Sequence, residues 1–288
     1  MKTFVTGASG NVGFPLIRYL HQAHVEIKAG STDPVALGTR LPVEVECVDF
    51  DFLNQESYDA ALHDVDRVFL MRPPHLGNPN QLYPFIDAMV ERGIGFVVFL
   101  SLMGIEKNPV PPHAKIEKYI RASGLNHAFV RPGFFMQNVS GVHAWEICRN
   151  DEILIPAGRA KTSFVDAEDV ALAASMILQD PLCHAKKAYT ITGPRSLDYD
   201  DIATLLSEVT GRTVTYRKPG FSTYRNHMLK VRKLDRTYVD VTIALYFMTR
   251  LNTASKVTGD FERLCGKTAT DFEDFVIRNK GKFEKSPE

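Results

Sequence analysis

Hydrophobic positions recur along this chain in two alternating rhythms. Residues 3–6 form a short β-branched and aromatic run, after which Val12, Leu16, Ile17 and Leu20 return at helical spacing. Strand, glycine turn and helix are predicted in that order. Residues 25–29 and 43–48 predict two further strands, while 67–71 and 96–101 are apolar enough to be buried on both faces of a sheet. Helical stretches at 55–63 and 82–92 fall between them. In residues 113–123, Ile116 and Ile120 share one helical face, Gly124 ends the run, and a sixth strand follows at 127–131. Strands alternating with helices predict a parallel sheet covered on both faces, a doubly wound α/β fold that binds ligands at the carboxyl ends of its strands. Beyond it, residues 153–156 and 189–192 read as short strands, and 166–179 and 199–209 as helices.

Composition narrows the partners more than the fold. The 288 residues are 44% hydrophobic and 24% charged, with 34 basic side chains against 34 acidic ones. Charge neutrality removes the usual electrostatic reason to expect a nucleic-acid or membrane-surface partner. The basic stretch from Arg212 to Arg236 is read as a solvated helical face rather than an anion site, and residues 278–288 as a charged, frayed tail. Cys47, Cys148, Cys183 and Cys265 are too scattered for a metal knuckle or a disulfide framework, and the first residues lack the pattern of an export signal. A cytoplasmic location is expected. The most apolar charge-free run, 93–105, falls short of the 18 or so residues that cross a bilayer. Neither His21 with His24 nor His143 with Cys148 assembles three ligands, so no metal is expected.

Chemistry concentrates where the first strand gives way to the first helix. Thr6-Gly7-Ala8-Ser9-Gly10-Asn11-Val12-Gly13 spaces its glycines three residues apart. Gly7 permits a tight turn, Gly10 lets the backbone approach a pyrophosphate, and Gly13 lets the helix lie against the sheet, while free N–H groups face the anion. A dinucleotide is the expected ligand. After the second strand, Ser31 and Thr32 could donate to a 2′-phosphate, whereas Asp33 could grip a ribose or cap the turn before Pro34. NADP(H) is favoured over NAD(H). Asp49 and Phe50, after the third strand, are placed to meet an adenine by hydrogen bond and ring contact.

The turn resembles that of atypical short-chain dehydrogenase/reductases, and several later stretches resemble the NmrA-like branch of that superfamily. They are Val65-Asp66-Arg67-Val68-Phe69-Leu70, Phe99-Leu100-Ser101, His113-Ala114-Lys115-Ile116-Glu117, Arg131-Pro132-Gly133-Phe134-Phe135-Met136-Gln137-Asn138, Phe164-Val165-Asp166-Ala167-Glu168-Asp169-Val170 and Tyr189-Thr190-Ile191-Thr192-Gly193-Pro194. The resemblance spans about the first 200 residues and fades afterwards. It implies a Rossmann-like domain over 1–132, to which 152–180 returns, and a smaller, mostly α substrate domain over 133–151 and 181–288. It also implies dinucleotide contacts from Gly7, Ser9, Gly10, Asn11, Val12, Thr32, Asp49 and Phe50. Met71, Arg72 and Pro73 would flank a ribose, and Pro132, Gly133 and Phe134 would line the nicotinamide. Phe135 and Met136 would begin a substrate wall. Thr32 departs from the arginine many members carry there, which counts against NADP(H).

Reductases of the wider superfamily use Tyr-x-x-x-Lys at the helix aligned with residues 113–123. Here Pro109 stands at the tyrosine position and His113 at the lysine position. His113-x-x-x-Glu117 puts both side chains on one helical face, so His113 could hold a ribose or pass a proton near neutral pH. Its other reading is a helix-capping histidine beside a surface glutamate. Ser101, ending the fifth strand, could orient a carbonyl. These residues predict an NAD(P)H-dependent reductase of a small electrophile, quinones fitting best because a hydroquinone anion can take its proton from water. The alternative is a non-catalytic regulator that reads the cofactor's redox state and acts on a protein partner.

Overall fold

The computed structural model describes residues 1–285, which divide into two compact units. The first comprises Met1–Pro132, Ala167–Ile191 and Asp260–Lys267. The expected return at 152–180 is therefore shifted: residues 152–166 belong to the second unit, and the returning segment runs from Ala167 to Ile191. Its last five residues, Lys187–Ile191, are a seventh strand of the sheet.

In the first unit, β1 (Lys2–Val5), β2 (Glu26–Ser31), β3 (Glu46–Asp49), β4 (Arg67–Met71), β5 (Phe96–Leu100) and β6 (His127–Pro132) pair in parallel. The strand Lys187–Ile191 adds beside β6. From that edge the order is Lys187–Ile191, β6, β5, β4, β1, β2, β3. The chain thus builds outward from β1 in one direction, then crosses back to β4 and builds in the other. Residues of β5 are buried throughout, as a strand covered on both faces requires. The connecting helices are α1 (Gly13–Gln22), α2 (Pro34–Gly38), α3 (Ser57–Leu62), α4 (Tyr83–Glu91) and α5 (Pro112–Ala122). On α5 the buried residues are His113, Ile116, Glu117 and Ile120, one stripe at helical spacing. Phe4, Phe50, Phe52, Tyr58 and Phe85 interlock, mostly edge to face, in the core beside β1 and β3. Lys28, 2% exposed, survives burial because its ammonium donates to the carbonyls of Ala60 and His63, each at 2.8 Å.

The second unit comprises Gly133–Asp166, Thr192–Gly259 and the chain from Thr268 onward. Two small parallel pairs, Phe134–Phe135 with Phe164–Val165 and Glu152–Ile153 with Thr215–Tyr216, accompany its helices. Its core includes Tyr199, Tyr216, Tyr224 and Tyr246. His143 lies fully inside, its Nε2 2.6 Å from the Tyr246 hydroxyl. The basic stretch is only partly a solvated face. Arg232 donates to the buried Glu146, and Arg217, Lys218 and Arg225 pair with Glu152, Asp200 and Asp240. The tail is also more ordered than expected, since helix Phe272–Arg278 is followed by a turn of 3-10 helix that buries Phe283 completely. Residues 286–288 of that expectation lie outside the described residues. Among the described residues no helix is long and apolar enough to cross a membrane.

Candidate functional site

Strand order reverses between β1 and β4, and in doubly wound sheets ligands bind at the carboxyl edge of that reversal. Thr6 ties the two strand ends together there. Its backbone N–H and its hydroxyl both donate to the Phe69 carbonyl at 3.0 Å, and its Oγ accepts from the Met71 N–H at 2.9 Å. Gly7 then turns at φ +62°, and a Cβ on it would lie 2.0 Å from the Met71 sulfur. A Cβ on Gly13 would meet the Gly7 carbonyl at 2.2 Å, so only glycine lets α1 start this close to the turn. Gly10 closes the loop by donating to Gly7 O at 2.9 Å. The protein itself crowds Gly10 little, with the single close neighbour of its virtual Cβ at 3.2 Å, and Ser9 and Asn11 are exposed beside it.

Helix α1 begins without the usual devices for its first N–H groups. Val12 at the N-cap offers no side-chain acceptor, and the first turn holds no acidic residue. Such a terminus carries unsatisfied donors and the positive end of the helix dipole. It suits a pyrophosphate.

At the ends of β2 and β3, Ser31 pairs in register with Asp49. Thr32, Asp33 and Asp49 are exposed. Asp33 resolves its two readings locally: it is the N-cap of α2, accepting from Ala36 N–H at 2.9 Å, while its own N–H donates to Ser31 Oγ at 3.0 Å. Phe50 corrects an expectation. Its ring is 4% exposed and packed among Phe4, Phe52 and Phe85, so core packing, not an adenine face, sets its position. Sequence reading also passed over Arg40. Leu37, 2% exposed, anchors the short α2, and the chain turns back so that the Arg40 guanidinium stacks 4.8 Å over Phe14 in the first turn of α1.

After β4, Arg72 holds its own loop. Its Nη1 donates to the carbonyls of Pro73, Pro74 and Leu76 at 3.0, 3.3 and 2.7 Å. Its Nε is buried without a partner, and so is Nδ1 of the neighbouring His113. Burial, reinforced by the Arg72 charge, pushes the His113 pKa down to about 3. The imidazole is neutral at physiological pH, which corrects the expectation that it passes a proton near pH 7. Glu117 is likewise not at the surface: at 5% exposure it receives Arg131 Nε and Nη2 at 2.9 and 2.7 Å. Ser101 donates to the same carboxylate at 2.6 Å. With its proton so engaged and the side chain 1% exposed, Ser101 has no donor left for a carbonyl.

Pro132 ends β6 in the first unit, whereas Gly133 and Phe134 begin the second. A Cβ on Gly133 would meet the Ser163 carbonyl at 2.4 Å. Met136, expected in a substrate wall, is 1% exposed within the second unit's core. Among the described residues no group of three His, Cys, Asp or Glu is arranged to hold a metal.

Comparisons place this chain among known proteins. It is 27% identical over 283 residues to an NAD(P)H azoreductase of Xenophilus azovorans, covering 97% of this chain and 98% of that one. It is 26% identical over 284 residues to the prestalk A differentiation protein A of Dictyostelium discoideum, covering 96% and 91%. The structure of Citrobacter sp. triphenylmethane reductase complexed with NADP(H) superposes with a TM-score of 0.86 at 24% identity, covering 97% of this chain and all of that one, which establishes the shared fold. Residues 1–276 match the sequence profile of the NmrA-like family, and the chain belongs to that family.

Proposed function

We propose that the protein is an NAD(P)H-dependent reductase of small conjugated electrophiles, with NADPH as the preferred cofactor and quinone-type acceptors foremost. The observation that carries this reading is the uncapped start of α1 beside the glycine turn, at the strand-order reversal. The likeness to an NAD(P)H azoreductase and to a triphenylmethane reductase supports it.

A bound reduced nicotinamide supplies hydride. Backbone N–H groups of Ser9, Asn11, Val12 and Gly13 would hold the pyrophosphate, Gly10 N–H being taken by the Gly7 carbonyl, and Thr6 fixes the turn that presents them. Neutral His113 offers Nδ1, and Arg72 offers Nε, to the hydroxyls or amide of the nicotinamide half; both atoms are buried and otherwise unpartnered. Asp49 accepts from the adenine amino group. Glu117, Arg131 and Ser101 act through packing, locking α5 to β5 and β6 so that His113 keeps its orientation.

Proton supply limits the substrate. Pro109 cannot donate a proton, the Ser101 hydroxyl donates its hydrogen bond to Glu117, and His113 is uncharged. The acceptor is therefore one that takes hydride without a protein acid: a quinone, whose hydroquinone anion takes its proton from water, or a cationic dye, which hydride neutralises. Purified protein incubated with NADPH or NADH and a panel of quinone, azo and triphenylmethane acceptors should consume reduced cofactor. Binding without consumption by any acceptor would instead favour a redox-sensing regulator of a protein partner, the reading that the same lack of a proton donor also supports. A cytoplasmic location accords with either reading.

A further inference from the structure

The end of β2 poses a problem that the position of Arg40 answers. A ribose diol is gripped by a carboxylate at the end of this strand, a 2′-phosphate by donors and a cation. Asp33 is the carboxylate in range by sequence, and its Oδ1 is held by the Ala36 N–H as the cap of α2. Ser31 Oγ already accepts from the Asp33 N–H, which leaves the serine proton to donate outward. Thr32 adds a second exposed hydroxyl. Arg40 lies with its guanidinium carbon 4.8 Å from the centre of the ring of Phe14, one residue past the phosphate turn. Among the described residues no carboxylate pairs with it.

We propose that Arg40 is the residue that selects NADP(H) over NAD(H), its guanidinium, held by Phe14, binding the 2′-phosphate together with the hydroxyls of Ser31 and Thr32. The inference rests on the dinucleotide reading above. Helix α2 returns the chain so that a positive charge from later in the sequence stands beside the first turn of α1. The cation–π contact holds the guanidinium over the ring, and its N–H donors, unpaired with any carboxylate among the described residues, suit a phosphate. Asp49 opposes Ser31 and serves the adenine amino group, so the two charges take opposite ends of one adenosine.

Calorimetric titration of NADP+, NAD+, 2′,5′-ADP and 5′-AMP tests this without any turnover. The wild type should prefer NADP+ and 2′,5′-ADP. Arg40→Ala should weaken those two by roughly 10- to 100-fold and leave NAD+ and 5′-AMP within about twofold. Phe14→Leu, which keeps an apolar side chain but removes the ring, should lose part of the same preference. Arg40 is exposed, so an unchanged melting temperature is expected alongside. Equal losses for both pairs, no change in either, or a wild type indifferent to the 2′-phosphate would overturn the role of Arg40. A wild type that binds none of the four ligands would overturn the dinucleotide reading itself.

Discussion

In the turn between β1 and α1 the working groups are backbone N–H donors, placed by Gly7 and Gly13, which no other residue can replace. On α5 they are side chains, placed by partners from two other elements: Ser101 at the end of β5 and Arg131 in β6 both converge on Glu117. One region is a local solution, complete within eight residues of chain from Thr6 to Gly13. The other exists only once three elements have docked. A local site can accept an anion as soon as its strand and helix pair, whereas the α5 network positions His113 only through the finished sheet. The contrast predicts different failures: the turn should fail by steric clash, the network by stranded charge.

The network should show the larger effect. Arg131→Ala leaves the buried Glu117 carboxylate with the Ser101 hydroxyl and a half-exposed Arg121 guanidinium 3.7 Å away, and removing one partner of a buried pair costs about 3–5 kcal/mol. Urea unfolding should register that loss, and Arg131→Ala with Glu117→Ala should recover part of it because the stranded charge is gone. If the double variant is as unstable as the sum of both single ones, the pair does not act as a unit. The turn comes next. Gly13→Val forces side-chain atoms against the Gly7 carbonyl, where even a Cβ would lie at 2.2 Å, and overpacking of this kind costs about 3 kcal/mol at the upper end. Unlike Arg131→Ala, it should also abolish binding of every dinucleotide fragment that carries a pyrophosphate, measured at a temperature where the variant remains folded.

This difference also governs what was legible from sequence. The glycine spacing, the strand run 67–71 and the stripe Ile116–Ile120 are local patterns, and periodicity reports them. Phe50 was misread because a phenylalanine after a strand looks the same whether it faces ligand or core; only the arrival of Phe85 from α4 decides it. Glu117 looked like a surface partner of His113 because helical spacing reveals which face a residue occupies, not that Arg131 waits opposite. The strand Lys187–Ile191 was recognised as a strand, near 189–192, but its place beside β6 was not, since parallel pairing over such separations leaves no mark in either segment. Arg40 was invisible for the same reason: its stack on Phe14 is made by the fold of α2.

Protonation bears on the α5 network and not on the turn, whose residues 6–13 hold no titratable side chain, and at a smaller magnitude. His113 has a pKa of about 3 when folded, against about 6.5 in an unfolded chain. Its contribution to stability is therefore fully present above pH 6.5 and is lost as pH falls towards 3, because the unfolded state then binds a proton that the folded state refuses. His143, fully buried in the second unit and held down to about 3 by burial and the Arg232 charge, has the same sign. Each should cost about 2 kcal/mol at pH 5 relative to pH 8. His113→Gln should flatten the acid limb by one group's share and leave any pH dependence of turnover above pH 6 unchanged. An activity profile that loses an ionisation near neutrality in this variant would show that His113 titrates in the working enzyme.

The smallest effect expected lies at Asp33, where cap and charge can be separated. Asp33→Ala removes the acceptor of the Ala36 N–H and should cost about 1 kcal/mol as a lost N-cap. Because α2 has only five residues, the same change should loosen the turn that returns Arg40 to Phe14 and lower the NADP+ to NAD+ affinity ratio. Asp33→Asn keeps a capping oxygen and removes the negative charge, so it should preserve stability and, by reducing repulsion of a 2′-phosphate, raise that ratio a few-fold at low salt. If both variants raise the ratio together, Asp33 holds the ribose diol of NAD+ directly and the cap is incidental. If they move it in opposite directions, the aspartate serves selectivity through the geometry of α2, as the phosphate turn serves binding through the geometry of α1.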